Sequence, residues 1–421
     1  MKKLVFCLLF SLLLSNAYGQ FDVNYDEDKV PEFKLSDPLK SFNGSKIRNT
    51  KKWEKKRRPE LMDFFSKNIY GEVPGQLAIS SVEILEESAE AINGKAIRKQ
   101  VELFFEKENK QIHFTILLYL PKQLTPAPIF VAYNFYGNHT IVNDVNIIIS
   151  EAWAKNNPSF GIINNQLTEQ SRGARSDRWP VEKIIDAGFG LAVIYYCEVD
   201  PDKDDFSDGV HPLFYVDDQQ QPAEDEWGAI SAWAWGLSRS MDYFETDDAV
   251  DASKVIVFGH SRLGKTSLWA GASDRRFAGV ISNNSGCGGA ALSKRRFGET
   301  VWRINRSFPH WFCKNFKNYS KNENALPLDQ HELIACIAPR PVYIASAEED
   351  LWADPKGEFL AALYATPVFE LYGKKGIEHT IMPPVNQAIH NTLAYHIRTG
   401  KHNVTDYDWD QYLKWAEMFI K

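Results

Sequence analysis

The sequence predicts an α/β fold, with a mostly parallel central sheet, helices on both faces and an N-terminal β-rich extension. Three observations carry this. Through the centre of the chain, short runs of β-branched and aromatic residues (128–133, 189–197, 255–258) alternate with helical runs (181–187, 227–243). That rhythm stacks crossover helices onto a parallel sheet. Upstream, residues 80–85, 97–106 and 112–120 alternate apolar and polar instead, with Val101, Leu103 and Phe105 in phase; this is the pattern of antiparallel strands with one wet face. The third observation is a strand, Val255-Ile256-Val257-Phe258, that runs through Gly259-His260-Ser261-Arg262-Leu263-Gly264-Lys265 into a helical stretch at 266–270.

A strand that turns sharply into a helix around a serine is a nucleophile elbow, the device of the α/β-hydrolase fold. The turn leaves little room for side chains, hence glycines nearby, and it lifts the serine Oγ clear of the sheet. It also aims the first helical N–H groups at a reacting carbonyl. Here the second glycine falls one place later than in Gly-x-Ser-x-Gly, with Arg262 in between.

The elements follow in order. Lys2-Lys3, an apolar run from Leu4 to Leu14 and the small residues around Ala17 and Gly19 read as a signal peptide over 1–19. The apolar run is too short and interrupted to span a membrane well, and no other stretch approaches that length. The mature protein is therefore expected to be secreted or periplasmic. Residues 20–421 read as one catalytic domain, with 20–125 as extension and antiparallel strands and 126–421 as core. A charged helix is expected over 49–70, with Trp53, Leu61, Phe64 and Phe65 on its apolar side, broken at 71–75. The loop 134–139 leaves the carboxyl end of a buried strand, where open α/β sheets bind ligands. Residues 140–180, irregular and rich in Asn, read as an insertion over the active face, with Arg172, Arg175 and Arg178 near Trp179. Residues 202–205 read as a solvated acidic loop.

A net charge of −7 argues against a nucleic-acid surface. Beyond the leader, Cys197, Cys287, Cys313 and Cys336 leave room for one or two disulfides in an oxidising compartment, without choosing a pairing. No metal-ligand spacing appears, and no cofactor is expected.

A serine nucleophile needs a histidine base and a carboxylate that fixes the base's tautomer, in the chain order Ser, acid, His. For the acid, the strand at 341–347 opens into Glu348-Glu349-Asp350-Leu351-Trp352-Ala353-Asp354-Pro355. Asp350 fits best, while Asp354 could equally cap the helix that starts at the proline. For the base, His390 and His396 read as packing histidines in helix or strand interiors. His379 follows a plausible strand end at 371–373. His402 stands between a run at 392–398 and a last helix at 406–420, the expected place, and is preferred.

Taken together, Gly259-x-Ser261-Arg262-x-Gly264-Lys265, Ser285-Gly-x-Gly-Gly289, Gly298-Glu299-x-x-x-Trp302, Phe308-Pro-His-Trp-Phe312, Asp350-x-Trp352-Ala-Asp-Pro355 and Gly400-x-His402 resemble the glucuronoyl esterases, carbohydrate esterase family fifteen, and their bacterial members most. The resemblance covers roughly 130 to 421 and is most specific at the elbow. It implies a serine esterase acting on (4-O-methyl-)glucuronic acid esters, as in the lignin–xylan linkages of lignocellulose. Arg262 would help stabilise the oxyanion and Lys265 would contact the uronate hydroxyls, with Glu299 and Trp352 as sugar contacts. Many members carry a glutamate where this chain has Asn284, so the acid is expected at the family's other location, the Asp350 loop. The carbohydrate substrate is the one partner expected, and the enzyme is expected to be a monomer. An acetyl xylan esterase or other carbohydrate deacetylase with the same triad is the alternative, though an acetyl group offers nothing for Lys265 to grip.

Overall fold

The computed structural model describes residues 23–421, so the leader expected at 1–19 lies outside the described residues. Nine strands form one sheet: β1 Ser81–Glu90, β2 Ala96–Lys107, β3 Lys110–Pro121, β4 Ala127–Asn134, β5 Gly190–Tyr195, β6 Val250–His260, β7 Gly279–Asn283, β8 Val342–Ala347 and β9 Leu393–Arg398. Their order is β1-β2-β3-β5-β4-β6-β7-β8-β9. The pairs β1–β2, β2–β3 and β3–β5 are antiparallel, and every pair from β5–β4 onward is parallel.

The two strand chemistries follow from what covers them. In β4, β5, β8 and β9 every residue is buried, as a parallel strand between two helical layers requires. In β1 most residues are exposed or half-exposed. Successive side chains of one strand enter opposite cores, since Cβ atoms alternate across a sheet. Val131, Val257, Val280 and Ile344 join one apolar cluster, and their neighbours Phe130, Phe258, Ile281 and Tyr343 join the other. The first cluster is covered by the helices Ala229–Phe244, Arg262–Ser273 and Pro355–Leu371, and the second by Val181–Asp186 and Asp406–Phe419.

Residues 50–70 form one helical rod of alternating α and π turns, starting on the side-chain cap of Asn49. Its buried Trp53, Leu61, Phe65 and Tyr70 belong to the first cluster, and Tyr70 stacks on Trp269 with ring centroids 4.5 Å apart. The rod therefore braces the helix that follows Ser261. Between 134 and 180 the chain has only short 3₁₀ turns, matching an irregular insertion.

Three expectations are corrected. Residues 371–373 end the long helix Pro355–Leu371 rather than a strand. His390 is half-buried in a loop before β9, not inside a regular element. Cys197, Cys287, Cys313 and Cys336 are all buried and free, so none of the three possible pairings forms.

Candidate active site

Order reverses in the sheet beside β4, with β5 on one side and β6 on the other. Ligand sites of open α/β sheets form at the carboxyl ends flanking such a switch point, and Ser261 directly follows β6 there. Its backbone is at φ 59° and ψ −130°, a positive-φ conformation outside the left-handed helical region that a non-glycine residue holds only when its surroundings impose it. The Ser261 N–H donates to Asn283 O of β7 at 2.9 Å, pinning the turn. A Cβ on Gly259 would stand 1.9 Å from Leu263 O, and one on Gly264 would stand 3.0 Å from Ser285 Cβ. The late glycine thus marks where the first helical turn passes the chain leaving β7. The helix begins at Arg262, earlier than the expected 266.

The loop after β8 supplies Asp350, and the loop after β9 supplies His402. His402 Nδ1 and Asp350 Oδ2 are 2.5 Å apart, and Asn284 Nδ2 donates to the same Oδ2 at 2.9 Å. Asp350 is buried, whereas the His402 ring is 40% exposed. Asp354 is spent elsewhere: it caps the helix Pro355–Leu371 and pairs with Arg295 at 2.9 Å. His396 is fully buried, held between Tyr343 Oη at 2.9 Å and Asp408 Oδ1 at 3.0 Å, and His379 is exposed in a loop. Neither lines the cavity that Ser261 opens into.

That cavity, about 350 Å³, is lined by Ser261, Arg262, Lys265, Glu299, Asp350, Trp352 and His402, all seven residues nominated from the sequence, together with Asn284, Phe308 and Trp311. Lys265 is buried, and its ammonium donates to Ser285 O at 2.7 Å, Cys287 O at 2.6 Å and Glu299 Oε2 at 3.3 Å. Two main-chain carbonyls and one carboxylate thus match its three hydrogens. Glu299 N in turn donates to Trp352 O at 2.9 Å, tying the pair to the tryptophan.

Two neighbours were not legible. His260 is buried with its ring centroid 4.5 Å from that of His402. Burial, and then the His402 and Arg178 charges, push its pKa far below the usual imidazole value, so a neutral ring packs against His402. Asp202, expected in a solvated loop, is half-buried, its side chain only 7% exposed, and pairs with the Arg262 guanidinium. Burial opposes its ionisation, but the Arg262 charge and the bonds from His310 and Trp311 outweigh it and hold the carboxyl well below the usual range. The insertion reaches the loop that holds His402 as well: Arg178 Nε donates to the neighbouring Asn403 side chain at 2.6 Å.

A serine at a strained elbow, a buried carboxylate on a histidine and a cavity at the carboxyl ends of a parallel sheet define a serine-type carboxylic ester hydrolase of the α/β-hydrolase fold. Comparison with known proteins gives the family. Residues 190–373 match the family described as "Glucuronyl esterase, fungi". A carbohydrate esterase from an unknown prokaryotic organism is 50% identical over 396 residues, 94% of this chain and 91% of that one. A 4-O-methyl-glucuronoyl methylesterase of Wolfiporia cocos is 36% identical over 226 residues, half of this chain and 55% of the relative. Among solved structures, a promiscuous esterase of carbohydrate esterase family 15 from a marine bacterial metagenome superposes with a TM-score of 0.89 at 49% identity, covering 94% of this chain and all of that one. The glucuronoyl esterase of Solibacter usitatus gives 0.87 at 44% identity, with 93% and 99% covered. The chain belongs to carbohydrate esterase family 15, the glucuronoyl esterases.

Proposed function

We propose that this enzyme hydrolyses esters of (4-O-methyl-)glucuronic acid, as in lignin–xylan linkages, through an acyl-enzyme on Ser261. The observation that carries the reading is the single cavity shared by Ser261, His402 and Asp350 with the buried Lys265–Glu299 pair. A small acyl group has no use for a charged pair beside the nucleophile, whereas a uronate presents a row of hydroxyls.

In this mechanism His402 takes the Ser261 proton, its Nδ1–H held by Asp350, and Oγ attacks the ester carbonyl. Negative charge moves onto the carbonyl oxygen, where the Arg262 backbone N–H, an unpaired donor of the first helical turn, and the Arg262 guanidinium receive it. The protonated His402 then gives its proton to the departing alcohol oxygen. A water molecule, deprotonated by His402, attacks the acyl carbon and releases the uronic acid and free Ser261. On the acyl side, the 3.3 Å contact from Lys265 to Glu299 is the longest of the lysine's three. A sugar hydroxyl that displaces this contact, accepting from Lys265 and donating to Glu299, is held by both, with Trp352 as the apolar wall.

The leader at 1–19 supports export, to the periplasm or beyond. Because one chain supplies every group named, the enzyme is read as a working monomer. Comparing kcat/KM on a methyl glucuronate ester and on an acetylated xylose tests the substrate. A preference of at least tenfold for the uronate ester is expected; a preference for the acetyl ester would replace this reading with a deacetylase.

A further inference from the structure

We infer that Asp202 is a positioning residue for the reaction, holding the Arg262 guanidinium in one orientation beside Ser261 so that its unpaired N–H edge meets the oxyanion. This rests on the ester hydrolysis proposed above.

Among the described residues, Asp202 is the one hydrogen-bond partner of the Arg262 guanidinium, through Nη1. The Arg262 Nε–H is buried with no partner. An unpaired buried donor on a cationic group is costly, and a resting site that keeps one needs a reason. The carboxylate that holds the other side of the guanidinium is itself fixed. Asp202 Oδ2 also accepts from Tyr196 Oη at 3.0 Å, while Oδ1 contacts His310 Nε2 at 2.8 Å and accepts from Trp311 Nε1 at 2.7 Å. With two donors on each oxygen it cannot turn. The plane of the guanidinium is fixed as well: its carbon lies 4.7 Å from the Trp311 ring centroid, 5.5 Å from that of Phe135 and 5.6 Å from that of Phe308.

The chemistry explains the arrangement. A free arginine side chain has large rotamer entropy to lose, and a donor that must reorient during the reaction loses much of its value. Tethering one nitrogen and packing the plane removes that freedom before substrate arrives. Fold stability alone does not call for such a device, because burying an ion pair is often no better than burying apolar residues of the same volume.

The test is a double-mutant cycle on a glucuronate ester with wild type, Asp202→Asn, Arg262→Ala and the double variant. Asp202→Asn is expected to lower kcat at least tenfold with KM changed less than threefold. In the Arg262→Ala background it should cost nothing further, because no guanidinium is left to position. Tyr196→Phe, which keeps the ring and removes one donor from the oxygen that holds Arg262, serves if Asp202→Asn does not fold; it should lower kcat severalfold, again only when Arg262 is present. Multiplicative losses in the double variants, or kcat within twofold of wild type in both single variants, would overturn the inference. Neither result would touch the proposed substrate as long as wild type cleaves the uronate ester.

Discussion

The Asp350 carboxylate lies 2.5 Å from His402 Nδ1, although 52 residues of chain separate them. The same oxygen accepts from Asn284, a residue with its backbone at φ 47° whose own Oδ1 is buried and unpaired. Asn284 can orient Asp350 but cannot balance an imidazolium, so in the proposed mechanism that charge comes from Asp350. Asp350→Asn is expected to lower kcat on a glucuronate ester by about 10⁴, whereas Asn284→Ala should cost only roughly tenfold to 150-fold, the worth of one hydrogen bond to a charged group. In the Asp350→Asn background, Asn284→Glu should restore part of the loss, because the two side chains already meet beside His402. Near wild-type turnover of Asp350→Asn would remove it from the triad.

Lys265 is expected to act on substrate rather than on the elbow. Lys265→Met removes the charge while keeping much of the stem, and should lower kcat/KM on a glucuronate ester by about 1.5–3 kcal/mol, roughly tenfold to 150-fold. Turnover of a small acetyl ester should stay almost unchanged. Since Glu299 loses its ionic partner, a melting curve must accompany the kinetics. Equal losses on both esters in a folded variant would mean that Lys265 supports the turn.

Glu358 makes stability depend on pH. Burial pushes its carboxyl up to about 8, against hydrogen bonds from Ser346 Oγ and the Gly286 and Ser285 N–H groups, with the Asp350 charge adding to the rise. The folded state therefore holds a proton that the unfolded chain releases from its ordinary value of 4.5 upward. Stability from this group is full below about pH 4.5 and is lost as pH rises towards 8. Glu358→Gln, which cannot ionise, should lose less Tm than wild type between pH 5 and pH 8, compared in matched buffers. Parallel Tm–pH curves would show that Glu358 is ionised throughout.

The sequence made the elbow legible because its signals are local: four β-formers, a glycine, a serine and a helical run within a dozen residues. The acid and the base could be placed because chain order and strand ends confine them, and Asp354 separated from Asp350 only through its cap on the next helix. Asp202 was opaque because it sits among charged residues that usually face water, while its partners Arg262, His310 and Trp311 lie 60, 108 and 109 positions away. Leu371 to Gly373 misled for a different reason. Pro367 interrupts the helical pattern just upstream, and a proline ordinarily ends a helix, yet this one runs through it to Leu371. The Lys265–Glu299 contact spans 34 positions, and no periodicity links such a pair. Only the family resemblance brought those two residues together.

The most direct test is turnover of a methyl 4-O-methyl-glucuronate ester by wild type and by Ser261→Ala, with both proteins shown by circular dichroism to be folded alike. Wild type is expected to release the uronic acid, and the variant to lose at least about 10⁴ of that kcat, since without the nucleophile no acyl-enzyme can form. Appreciable turnover by a folded Ser261→Ala protein, or none by wild type, would contradict the account.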